Sequence, residues 1–105
     1  MTQAPETDAQ GFLLDLDEWD QNFATKTAES EGIKLTPQHW EVIEVLREFY
    51  EEFDLSPANR ILVKQVKIKL GEAKGNSIYL MKLFPGSPAK IASKISGLPK
   101  PTNCL

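Results

Sequence analysis

Residues 36–53 read TPQHWEVIEVLREFYEEF, and this stretch decides the class of fold. Thr36 is a helix N-cap residue followed by proline at the first helical position, where its missing N–H and fixed φ cost nothing. From there Trp40, Val42, Ile43, Val45, Leu46, Phe49, Tyr50 and Phe53 recur at helical spacing and form an apolar face. Glu41, Glu44, Glu48, Glu51 and Glu52 take much of the other face, where carboxylates are ordinarily solvated rather than catalytic. Such a helix needs neighbours to cover one side.

The flanking sequence supplies them. Ser56-Pro57 repeats the start signal, and the segment to Leu70 turns Ala58, Ile61, Leu62, Val66 and Leu70 inward, with Arg60, Lys64 and Lys67 facing elsewhere; Gly71 ends it. Asn76 or Ser77 caps a short helix carrying Ile78, Tyr79, Leu80, Met81, Leu83 and Phe84, which Pro85-Gly86 breaks. Ser87-Pro88 opens the last helix, burying Ala89, Ile91, Ala92 and Ile95 and capped by Gly97. On the N-terminal side, Asp17 is the expected cap of a helix from about Glu18 to Ser30 with Trp19, Phe23 and Ala24 on one side, and residues 11–15 are read as a short strand or hairpin. The reading predicts a disordered tail at 1–10, a small, mainly helical bundle over 11–96, and an extended arm at 97–105 whose prolines Pro99 and Pro101 exclude helix.

Composition limits the chemistry. With 105 residues, 26% charged and 41% hydrophobic, the chain fits one domain. It carries one Cys and one His, so neither an intramolecular disulfide nor a zinc site built on soft ligands is available. No phosphate-binding glycine loop or serine-hydrolase elbow is present. MTQAPETDAQ lacks the features of a secretion signal and no segment has the length of a membrane span, which predicts a cytoplasmic protein. The net charge of −3 conceals a polarity: residues 1–54 hold 14 acidic and 3 basic side chains, and residues 55–105 hold 1 acidic and 9 basic. That polarity either holds the two halves together or presents a basic face to an acidic partner, an anionic substrate or RNA.

What remains is Cys104. A cysteine inside a helical core is usually an inert small hydrophobe, whereas this one stands next to last on a proline-stiffened segment. Eight residues beyond Gly97 reach at most ~26 Å at ~3.3 Å per residue, enough to enter a partner's cleft while the domain stays outside. The reactive form is the thiolate, favoured by cations such as Lys100, or by Arg60 and Lys64 if the arm folds back, and disfavoured by the terminal carboxylate. On spacing alone an unreactive free thiol or an intermolecular disulfide point stays open.

The detailed sequence narrows this. Gly97-Leu98-Pro99-Lys100-Pro101-Thr102-Asn103-Cys104-Leu105 resembles the arm of the DsrC/TusE family of sulfur-relay proteins, also known as gamma subunits of dissimilatory sulfite reductase. The likeness continues upstream through Leu35 to Val42, Ser56-Pro57-Ala58-Asn59-Arg60, Leu62-Val63-Lys64, Lys74-Gly75-Asn76-Ser77, Leu83-Phe84-Pro85 and Pro88-Ala89-Lys90, and covers roughly residues 11–105. It implies a helical domain with a short N-terminal β-hairpin and a mobile arm whose cysteine, here Cys104, accepts a persulfide. Members of dissimilatory sulfur metabolism carry a second Cys eleven residues earlier, where this chain has Ser93. A hydroxyl cannot close a disulfide or hold a trisulfide, so the resemblance is closer to the TusE branch, which relays sulfur toward tRNA 2-thiouridine synthesis.

The resemblance thus implies a sulfurtransferase acting as a persulfide carrier, with Cys104 as the reacting residue and Arg60, Lys64 and Lys100 as supporting cations. It needs no metal or organic cofactor, and its partners are a persulfide donor complex and a sulfur acceptor, either a tRNA-thiolation enzyme or sulfite reductase. Two other classes stay open. One is an adaptor whose arm docks in a larger sulfur enzyme without being sulfurated, or that serves a sulfur-oxidation relay. The other is a helix-turn-helix nucleic-acid binder over residues 57–84, with Arg60, Lys64, Lys67, Lys69, Lys74 and Lys82 available, against which the acidic half and a pI near 5.1 argue.

Overall fold

The computed structural model describes residues 4–102 and contains five α-helices among them. These are α1 (Gln21–Ser30), α2 (Pro37–Phe53), α3 (Asn59–Leu70), α4 (Ser77–Leu83) and α5 (Pro88–Ile95), preceded by a 3-10 turn at Leu16–Glu18.

The shortest signals were the most reliable. Thr36 caps α2 with Pro37 in its first turn, Asn76 Oδ1 accepts the Tyr79 N–H at 2.8 Å to start α4, and Pro88 opens α5. Val42, Ile43, Val45 and Leu46 of α2 meet Leu62 and Val66 of α3, Leu80 and Phe84 at α4, and Ile95 of α5 in one buried cluster. At the centre lies α5, which packs against all four other helices. Its composition permits this: Ala89, Ala92, Ser93 and the following Ser96 are all fully buried, and small side chains let neighbours approach from every side.

Gly75 explains the Lys74-Gly75-Asn76-Ser77 motif. A Cβ there would stand 2.2 Å from Lys67 Cα, so only glycine lets this loop lie against α3. Its neighbours act too, Lys74 reaching Glu41 of α2 at 2.7 Å and Asn76 capping α4.

Several expectations differ from the structure. No strand forms among the described residues, and the hairpin near residues 11–15 reduces to one antiparallel bridge between Thr7 and Leu13. Asp8 Oδ1 takes the N–H groups of Gln10 and Phe12, closing a tight loop. Phe12 and Leu13 are then both buried, which strand alternation would forbid. The cap of α1 is Asp20 rather than Asp17, its Oδ1 accepting the Phe23 N–H at 2.7 Å. Trp19 stays extended ahead of the helix because its indole bonds across the molecule to α5. Ser56-Pro57 does not start α3, which begins at Asn59, and Ile61 is 43% exposed instead of inward.

His39, in the first turn of α2, is buried. Its Nδ1 accepts the Thr36 N–H at 3.0 Å, which leaves the Nε2–H to donate to the Leu83 carbonyl at 2.8 Å, so one imidazole completes the cap of α2 and ties it to the end of α4.

The charge polarity is used internally. Among the described residues Lys69 pairs with Glu48, Lys74 with Glu41 and Lys94 with Glu31, each joining the basic half to the acidic half.

Candidate functional site

The arm grows directly out of the buried hub. Gly97 adopts φ +73°, the left-handed conformation in which a helix stops, and the Leu98 N–H bonds to Ser93 O at 2.9 Å while the Gly97 N–H bonds to Lys94 O at 3.1 Å. That pair of bonds is a Schellman cap, with Leu98 as its accompanying apolar residue, 2% exposed.

A helix end leaves carbonyls without intrahelical partners. Here side chains from elsewhere in the chain supply donors. Trp19 Nε1 donates to Ile95 O at 2.9 Å and Arg47 Nη1 donates to Ser96 O at 2.6 Å. The Arg47 guanidinium also lies 3.9 Å from the centroid of the Trp19 ring, so each holds the other in place. Burial lowers the Arg47 pKa from its ordinary value, against a smaller opposing pull from Glu51. Further out, Ser56 Oγ donates to Pro99 O at 2.6 Å.

The arm root is therefore docked. Pro101 is buried, whereas Pro99, Lys100 and Thr102 are exposed. Cys104 lies outside the described residues. Cys104 stands three positions beyond Pro101, so with the root in place its reach from that anchor is at most ~10 Å, against ~23 Å counted from Gly97.

The supporting cations divide by position. Arg60 and Lys64 are exposed one turn apart on α3, and neither is ion-paired among the described residues. The Ser56–Pro99 bond fastens the segment leading into α3 to the arm root, and Arg60 follows Ser56 by four residues. Lys100 sits between the anchored Pro99 and the buried Pro101. Of the cations considered for nucleic-acid contact, Lys67, Lys69 and Lys74 are paired with Glu72, Glu48 and Glu41. Tyr79 is half-buried, with a hydroxyl that has no hydrogen-bond partner among the described residues.

Ser93 is fully buried in α5, and its hydroxyl also lacks a hydrogen-bond partner among the described residues. Among those residues no three His, Cys, Asp or Glu side chains gather as metal ligands, and no helix is long and apolar enough to cross a membrane.

Sequence reasoning missed Trp19, Arg47 and Ser56 as the fasteners of this root. One signal was available for Arg47, the single Lys or Arg among the glutamates of α2. For Trp19 the sign was a large aromatic just ahead of a capping Asp; Ser56 was indistinguishable from a helix cap.

The fold is a small helical bundle whose last helix runs into a fastened, proline-containing segment. The chain belongs to the DsrC family, whose model, described as DsrC like protein, matches residues 1–105. It is 58% identical over 99 residues to the "Sulfurtransferase TusE" of Pectobacterium atrosepticum, covering 94% of this chain and 91% of that protein. The Escherichia coli protein of the same name is 54% identical over 100 residues, covering 95% and 92%. Among solved structures, Allochromatium vinosum DsrC superposes with a TM-score of 0.85 at 48% identity, covering 93% of this chain and 88% of that one.

Proposed function

We propose that this protein is a cytoplasmic sulfurtransferase of the TusE type that carries sulfur as a persulfide on Cys104 and relays it toward tRNA 2-thiouridine synthesis. The observation that carries this reading is identity of 54–58% to sulfurtransferases along nearly the whole chain. The docked root supports it, because a fixed base limits where the residue it leads to is presented.

The step balances without a redox partner. The Cys104 thiolate attacks the terminal sulfur of a donor persulfide, the new S–S bond forms as the donor's S–S bond breaks, and the donor departs as a thiolate. Cys104 then holds an –S–SH group, and the acceptor's thiolate repeats the exchange. Arg60, Lys64 and Lys100 are the cations proposed to favour the thiolate and persulfide anions. With Ser93 at the second position and one Cys in the chain, the relay has no intramolecular disulfide step.

The test separates carrier from adaptor. Cys104→Ser in a reconstituted thiolation system should abolish sulfur transfer to tRNA while leaving partner binding intact. Undiminished thiolation by that variant overturns the carrier reading in favour of the adaptor.

A further inference from the structure

Residues of α3, α4 and the start of α5 line an open hollow of about 410 Å³. Leu80, only 1% exposed, lies among its lining residues, together with Val63 and Met81, and Arg60 stands on its margin. Ile78, 72% exposed, and Met81, 45% exposed, lie one turn apart on α4, and Ile61 and Ile68 are exposed on α3. Of these, Met81 lines the hollow, and with Val63 and Leu80 it leaves an apolar wall open to solvent, the kind of surface a partner covers.

The charge around it has one sign. Arg60, Lys64 and Lys82 are exposed and without ion pairs among the described residues. Glu72 is the sole acidic residue between 55 and 105, and it pairs with Lys67 toward the other end of α3. A hollow with an apolar wall, an arginine and no acidic side chain in its lining is complementary to an apolar side chain flanked by carboxylates.

We infer that the α3–α4 face is the docking surface for a partner protein that presents an apolar side chain within an acidic segment. The position gives docking a purpose. Asn59, which also lines the hollow, follows Ser56 by three residues, so the hollow begins at most ~11 Å along the chain from the hydroxyl that holds Pro99. A partner seated here has the arm root at its edge. The inference deepens the sulfur-relay reading and rests on it, since it assigns the contact through which a relay partner is held.

The test uses the full chain, isotope-labelled, titrated with a short peptide of alternating Asp and Leu, with the corresponding Lys–Leu peptide and an oligouridylate as comparisons. The Asp–Leu peptide should shift amides of residues 59–63 and 77–81 saturably, and Arg60→Glu or Met81→Asp should weaken binding by at least about tenfold. Both positions are exposed or partly so, and unchanged denaturation curves confirm that the variants fold. Cys104→Ser should bind as the parent does. Shifts elsewhere, equal response to the Lys–Leu peptide, or preferential response of this face to oligouridylate overturns the proposal, the last assigning the surface to RNA. Sulfur loading of Cys104, measured separately with polysulfide, keeps the two readings apart: loading without peptide binding sinks the docking surface alone, and peptide binding without loading sinks the relay alone.

Discussion

Replacing Gly97 by alanine should loosen the arm root and destabilise the protein, and the structure says by how much. Two costs are separable. An L-residue held at φ +73° gives up about 1–2 kcal/mol to the left-handed conformation. The added Cβ would also stand 2.3 Å from Trp19 Cδ1, 2.7 Å from Cγ and 2.8 Å from Cβ, distances that require movement of the indole at its base. That ring is held by its bond to Ile95 O and by Arg47 stacked on it, so displacing it leaves a buried carbonyl unpaired, about 1–3 kcal/mol, and disrupts a cation–π contact of about 0.5–1 kcal/mol. The sum is about 2.5–6 kcal/mol, a large share of the stability of a domain this size.

Gly32 is the matched control. Its φ is +74° and nothing lies within 4 Å of the position a Cβ would take, so Gly32→Ala bears the conformational cost alone. Urea denaturation followed by circular dichroism should place Gly97→Ala at least about 2 kcal/mol below Gly32→Ala. In a Trp19→Ala background the Gly97→Ala cost should fall to the Gly32 value, the signature of a direct coupling. Equal losses for the two glycines, or additive behaviour with Trp19→Ala, would refute the claim that the arm root is locked by this contact.

Other perturbations follow from the same geometry. Ser56→Ala removes the donor to Pro99 O and should cost about 1 kcal/mol while speeding hydrogen exchange at Lys100 and Thr102; unchanged exchange there argues against the anchor. Ser93→Ala, which deletes a buried hydroxyl without a partner among the described residues, should be neutral or stabilising by up to about 1 kcal/mol by denaturation, and a clear loss would reveal an unrecognised bond. The Glu41 hydrogen bond raises the Lys74 pKa, and burial with Asp54 raises that of Tyr50. Each group binds its proton more tightly when folded, so each contribution is complete below its ordinary value of 10.5 or 10.0 and is lost as pH rises through the raised one. Lys74→Met and Tyr50→Phe should each flatten the alkaline decline in stability, and an unaltered decline in both contradicts the assignment.

Local signals carried most of the fold. Thr36-Pro37, Asn76 and Ser87-Pro88 began helices where expected, and Gly32, Gly71 and Gly97 all take positive φ just beyond helix ends. What escaped depends on partners far along the chain. Asp15, Asp17 and Asp20 are equally good caps on paper, and a bond from Trp19 to a carbonyl 76 residues away helps decide among them. His39 is buried because Leu83 O needs a donor, which no pattern around residue 39 reveals. Periodicity counts an isoleucine as core wherever spacing allows, so Ile61 is predicted inward, yet it is 43% exposed where no other element covers it. Cys104 stands out as the candidate reacting residue by elimination together with the family resemblance and lies outside the described residues, whereas the side chains that fasten the arm root gave no comparable signal.

The central claim is that Cys104 carries sulfur, and intact mass spectrometry tests it most directly. The reduced protein is incubated with a protein persulfide donor, with Cys104→Ser alongside. The account predicts one added sulfur atom on the parent, removed by reductant and absent from the variant. A parent protein that gains no sulfur while Cys104 is freely alkylated, or a variant that gains the same mass, contradicts it.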